Sequence, residues 1–200
     1  PSMSKRSKAA KAKKGKGFNW LDKLIIGVVL VVVIGVAYTL SQPQTQPTTT
    51  QTSGAPDFTL PVVTANGLTG ERVSLSSFRG KVILLEFMVP WCGHCQNMAP
   101  ALENLYKQFG PQNVVFLSVS GSWTGPDGRP ANADDAAKFI RDYGSTWTYV
   151  YDSSNSVFNS YHVSGTPTFF IISKDGSIAA TYSGEVAAET LAADITRLNA

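Results

Sequence analysis

Cys92 and Cys95 are the only thiols among the 200 residues, and they stand three positions apart in the run Trp91-Cys92-Gly93-His94-Cys95. A disulfide between such close neighbours closes too small a loop to constrain the unfolded chain, so stability is not its purpose. Its chemistry is another matter. Where Cys-x-x-Cys opens a helix, the first thiol meets unpaired N–H groups and the positive end of the helix dipole, which favour a thiolate. The second lies one turn further on, within reach of a mixed disulfide formed by the first. The spacing therefore predicts Cys92 as nucleophile and Cys95 as resolving thiol in dithiol–disulfide exchange, with the pair itself as the redox centre and no added cofactor. Zinc uses the same spacing, but a structural zinc site takes four ligands, and only His94 and His162 remain as nitrogen donors. No metal is expected.

Three other positions bear on this chemistry. A protonated His94, between the cysteines, would stabilise the Cys92 thiolate and hence the dithiol, making the disulfide more oxidising. Glu86, six residues before Cys92, is the only charge in the apolar run 82–89. Strand alternation puts it on the same face as Leu84 and Met88. A carboxyl buried there should have a raised pKa, which suits a group that shuttles the Cys95 proton. Pro167, in Gly165-Thr166-Pro167-Thr168, enters another apolar strand, where proline fits only after a cis bond or at a bulge.

The elements that would position these residues can be read in outline. Short strands at 58–63 and 72–75 flank a turn at Asn66-Gly67. The run 82–88, apolar but for Glu86, reads as a central strand, and a helix follows over 93–109. A second buried strand covers 114–119, a loop 121–132, and a helix 134–143 with Asp134 as cap. A short strand at 149–151 and a short helix at 154–161 come next. Strands at 168–172 and 178–182 flank the turn Lys174-Asp175-Gly176, and a helix spans 185–198. The fold class is α/β, a mixed sheet with helices on both faces.

Outside this region the chain changes character. Residues 1–23 carry eight basic side chains against Asp22 alone, about +7, and the remainder has thirteen acidic and nine basic groups, about −4. The basic residues of 1–19 suit a cytoplasmic tail that sets topology. Without an arginine-rich or aromatic surface elsewhere, they do not suggest a nucleic-acid arm. Residues 24–40 contain no charge. Extended by Trp20 and Leu21, they suit an uncleaved transmembrane anchor over 20–40. The Gln, Thr, Pro and Ser of 41–54 read as a flexible linker. The folded domain is then 55–200, on the outer side of the membrane.

Together, the run from Glu86 to Cys95 and Gly165-Thr166-Pro167-Thr168 resemble the thioredoxin superfamily. Cys-Gly-His-Cys after Pro-Trp is similar to protein disulfide isomerase domains. Three further segments resemble the membrane-anchored, TlpA/ResA-type extracytoplasmic thioredoxins: Ala55-Pro56-Asp57-Phe58-Thr59-Leu60, Val73 through Lys81, and Lys174-Asp175-Gly176. The resemblance implies a thioredoxin-like fold with extra N-terminal strands. It further implies protein substrates carrying thiols or disulfides, and a membrane electron donor or acceptor. Pro167 would be the cis-proline facing the disulfide, the Thr166 backbone would pair with an extended substrate segment, and Trp91 would join that substrate-binding surface. Two departures stand out. Strand 114–119 offers Glu86 no lysine partner of the ordinary thioredoxin kind. Met98 stands where some cytochrome-maturation reductases carry an acid, which speaks against a dedicated cytochrome role.

Two other functions compete. A thiol peroxidase would need Thr or Ser three residues before its reactive cysteine, and here that residue is Val89. A copper-handling module would use both thiols and His162.

Overall fold

The computed structural model describes Trp20 and residues 54–200. The chain divides into two units, Pro1–Thr50 and Gln51–Ala200. Of the first, Trp20 alone is described, helical and exposed. The basic tail, the rest of the proposed anchor and the linker as far as residue 53 lie outside the described residues. Among the described residues no helix is long and apolar enough to cross a membrane.

The second unit is built on a seven-stranded sheet: β1 (Thr59–Thr64), β2 (Gly67–Ser74), β3 (Ile83–Met88), β4 (Val115–Gly121), β5 (Thr148–Asp152), β6 (Thr168–Ile172) and β7 (Ile178–Ser183). Their spatial order is β2-β1-β5-β4-β3-β6-β7. The middle strands β3, β4 and β5 run parallel, and the remaining pairs are antiparallel. All six residues of β3 are buried. Covered on both faces, such a strand reads as one continuous apolar run. Four helices accompany the sheet: α1 (Gly93–Phe109), α2 (Ala133–Tyr143), α3 (Ser156–Ser160) and α4 (Ala188–Asn199).

Strand alternation sorts the core into two layers. Leu84 and Met88 of β3 pack with Leu102 and Leu105 of α1, Phe139 and Ile140 of α2, and Leu191 and Ile195 of α4. Ile83, Leu85 and Phe87 point the other way, against Phe158 of α3, Tyr161 and Phe170. On that side Phe87 meets Phe158, Tyr161 and Phe170 at ring separations of 5.0, 4.9 and 5.6 Å. The architecture is a thioredoxin-like α/β fold, with β1 and β2 added at one edge.

Several expected boundaries move. Gly54, assigned to the linker, pairs with Ser177 beside the β6–β7 turn. β2 begins at Gly67, directly after the turn, and Leu75 opens a 3-10 turn, Leu75–Phe78. The segment 154–161 keeps helix only over Ser156–Ser160. α2 is capped by Asn132, not Asp134: Asn132 Oδ1 accepts from the N–H groups of Asp134 and Asp135 at 2.9 and 3.0 Å, while the Asp135 carboxylate accepts from Asn132 N. This reciprocal capping box satisfies three donors at once and leaves Asp134 in the first turn, where its charge suits the dipole. The last helix starts at Ala188, so Glu185 lies free of it. Asn132→Ala should cost about 1 kcal/mol of stability in chemical denaturation, and Asp134→Ala clearly less.

Candidate active site

The site assembles where β3 ends. The chain leaves Met88, turns so that Cys92 N donates to the Val89 carbonyl at 3.0 Å, and enters α1 with Cys92 as its N-cap. Here sulfur takes the place of the usual oxygen: Cys92 Sγ accepts from Cys95 N at 3.3 Å. Both cysteines are buried free thiols, Cys95 completely so.

The antiparallel partner of β3 brings in the second wall. Phe87 pairs with Thr168, the first residue of β6, so the residues before Thr168 lie beside those that follow β3. The Thr166–Pro167 bond is cis, and the Cys92 thiol donates to the Thr166 carbonyl at 3.3 Å. Gly184 N holds the Pro167 carbonyl at 2.8 Å. The β6–β7 register sets Ser183 opposite Thr168, which carries the chain after β7 to the same edge. There Glu185 Oε1 meets His94 Nδ1 at 2.6 Å and accepts from Asn97 Nδ2 at 2.8 Å.

A third wall comes from the loop after β4. Trp91, partly exposed, donates from Nε1 to the Trp123 carbonyl at 3.3 Å. A Cβ on Gly125 would stand 3.0 Å from the Trp91 ring, so a larger residue there would press on the indole. Beside the indole opens a cleft of about 350 Å³, lined by Trp91, Pro126, Arg129, Phe139 and Tyr143 among others.

Charge in this pocket is sharply divided. The Cys92 thiol is brought down to about 5, chiefly by hydrogen bonding from Cys95 and against the effect of burial. The Thr166 side chain and the backbone N–H groups of Cys95 and His94 add to the effect. Cys95 moves the other way, pushed up by burial first and then by the neighbouring Cys92 and Glu86. Glu86, 3% exposed, is raised to about 7 by burial, which outweighs the Ser118 hydrogen bond that lowers it. His94 is raised by its bond to Glu185. Three acidic groups thus share a buried cluster that favours one negative charge, on Cys92.

The structure therefore brings Cys92, Cys95, Glu86, Trp91, Thr166 and Pro167 to one end of the sheet. The His94 ring pairs with Glu185, and the Cys92 charge also favours its protonated form. Sequence reasoning missed Ser118, Trp147 and Glu185. Ser118 does leave a mark, as the only polar residue in the run 114–119. Val89 is buried and apolar, with no hydroxyl for the sulfur. Among the described residues no three His, Cys, Asp or Glu side chains come together as metal ligands, so His162 does not join the thiols.

The chain is similar to known proteins in both sequence and fold. Residues 52–181 match the AhpC/TSA family. The thiol-disulfide oxidoreductase ResA of Geobacillus kaustophilus is 30% identical over 164 residues, covering 82% of this chain and 88% of its own. ResA of Bacillus subtilis is 28% identical over 160 residues, covering 79% and 82%. Among solved structures, a Chlorobium tepidum protein assigned as a thiol:disulfide interchange protein DsbE superposes with a TM-score of 0.62 at 26% identity, covering 74% of this chain and 96% of its own. StoA of Bacillus subtilis shares the fold, with a TM-score of 0.56 at 24% identity over 68% and 94% of the two chains.

Iodoacetamide should alkylate Cys92 of the reduced protein with a rate that rises through about pH 5 and levels off by neutrality, while Cys95 stays unmodified. A midpoint in the ordinary thiol range would contradict this geometry.

Proposed function

Since the chain belongs to the AhpC/TSA family and is a thiol–disulfide oxidoreductase, we propose that its activity runs through Cys92 as nucleophile, Cys95 as resolving thiol and Glu86 as proton acceptor. The observation that carries this reading is the Cys92 sulfur seated as the cap of α1, beside a buried Cys95 that shares its cluster with a carboxyl.

In the reducing direction the Cys92 thiolate attacks one sulfur of a protein disulfide. The substrate S–S bond breaks, a Cys92–substrate bond forms, and the departing thiolate is protonated by water. Cys95 then gives its proton to Glu86 and attacks Cys92 Sγ. The mixed disulfide breaks, the Cys92–Cys95 disulfide forms, and the second substrate thiolate leaves. The substrate gains the two electrons that the dithiol loses, and a dithiol donor of lower potential restores the enzyme. Run in reverse, the same steps oxidise a substrate dithiol. A thiolate as stable as that of Cys92 favours the reduced form, which places the pair toward the oxidising part of the range for such centres.

The Thr166 carbonyl accepts from Cys92 only while that residue is a protonated thiol. A thiolate has no proton to donate, so ionisation releases that carbonyl for an N–H of an extended substrate segment. Pro167 and Trp91 flank the same approach. We place the redox domain outside the cytoplasm, tethered by an anchor over 20–40 with the basic tail inside. Support comes from the basic residues that precede the uncharged run 24–40. A membrane protein of thiol chemistry would then exchange electrons with it.

Two measurements test the reading. Cys95→Ala should accumulate mixed disulfides with client proteins and Cys92→Ser none; adducts through Cys95 would invert the assignment. Glu86→Gln should slow insulin reduction about a hundredfold near neutral pH. Its stability should change in the opposite sense. The folded carboxyl keeps its proton up to about 7, against a reference of 4.5, so the folded state loses stability as pH rises through that window. Glu86→Gln removes this penalty and should melt higher than the parent at about pH 8.

A further inference from the structure

The partner that the sequence did not supply for Glu86 is present, and it comes from the neighbouring strand. The β3–β4 register sets Ser118 directly opposite Glu86, and the β4–β5 register sets it opposite Tyr149. Ser118 Oγ donates to Glu86 Oε2 at 2.5 Å, and Trp147 Nε1 donates to Ser118 Oγ at 2.8 Å. The direction of this chain follows from valence. An indole N–H only donates and an ionised carboxylate only accepts, so the single Ser118 proton lies toward Glu86 whenever Glu86 is ionised. Trp147 is itself held by packing, with its ring 5.2 Å from that of Tyr149 and 6.3 Å from that of Tyr106.

Ser120 offers an internal control. It lies two residues further along β4 and is fully buried, yet its hydroxyl has no hydrogen-bond partner among the described residues. Burial on this strand thus does not by itself force a serine into a bond. The other carboxylate oxygen of Glu86, Oε1, has no hydrogen-bond partner among the described residues.

We infer that Ser118, oriented by Trp147, is a positioning residue that pins one oxygen of Glu86 and leaves the other to exchange the Cys95 proton. This rests on the proposed role of Glu86 as proton acceptor and deepens it. The groups facing Glu86 are Cys92 and Cys95 from α1 and Tyr149 from β5; β6 contributes only Phe169 in register. Burial and the Cys92 charge both disfavour the carboxylate, and Ser118 is the donor that opposes them.

The test uses the full reduced chain with glutamate carboxyl carbons labelled with 13C, the Glu86 resonance being assigned by its loss in Glu86→Gln. Ser118→Ala should raise the Glu86 midpoint by about one pH unit, a tenfold change in ionisation, and the inflection in the insulin-reduction rate should follow it. Ser118→Thr should restore the parent midpoint, and Trp147→Phe should shift it upward by less. A merely structural serine would leave these midpoints unchanged. An unshifted Glu86 midpoint in Ser118→Ala overturns the inference, whatever Glu86→Gln does to turnover. If Ser118→Ala does not fold, an unshifted midpoint in Trp147→Phe overturns it instead. A shifted midpoint beside an unaltered Glu86→Gln rate profile supports the pinning and removes the proton-shuttle reading.

Discussion

A helix that begins on a sulfur atom makes an unusual demand on the structure around it. The first N–H groups of α1 need an acceptor, and the Cys92 side chain supplies one, so the contact that completes the helix also stabilises the reactive anion. The dependence runs both ways. Without α1 in place, Cys92 is an ordinary thiol; without a good acceptor, the start of α1 frays. Because the sulfur must sit at the helix mouth, β3 has to deliver it there, and β3 can do so only as a fully buried central strand.

That burial sets up the second constraint. Cys92, Cys95 and Glu86 are all acids, and the apolar cluster around them resists more than one negative charge at a time. Hydrogen bonding decides which group carries it: donors converge on Cys92, the Cys95 side chain first among them, while burial holds Cys95 and Glu86 back from ionising. The proton inventory of the site is thus a consequence of packing.

The remaining parts of the site gather for a topological reason. Parallel β3 and β4 end at the same edge, and antiparallel β6 begins and β7 ends there. Four connections therefore meet around the Cys92 sulfur: the turn into α1, the loop that carries Trp123 and Gly125, the Thr166–Pro167 corner, and the stretch with Gly184 and Glu185. Ligands of open α/β sheets gather outside the carboxyl ends of the parallel strands, and this site obeys that rule.

What the sequence by itself determined was local. The Cys92–Cys95 spacing spans one helical turn. The apolar character of 82–89, interrupted only by Glu86, marks a central strand, and period-two alternation puts Glu86 on the face of Leu84 and Met88. Each of these follows from residues a few positions apart, and α1, from Gly93 to Phe109, runs as that reading requires. The tertiary structure alone decided who meets Glu86 and His94. Ser118 lies 32 residues from Glu86 and Glu185 lies 91 from His94. Those meetings depend on the register of paired strands, which is set by the packing of the whole sheet and leaves no periodic trace in the chain. The cap of α2 is local by contrast: Asn132 and Asp135 stand three residues apart, and Arg129, six before Asp135, holds its carboxylate.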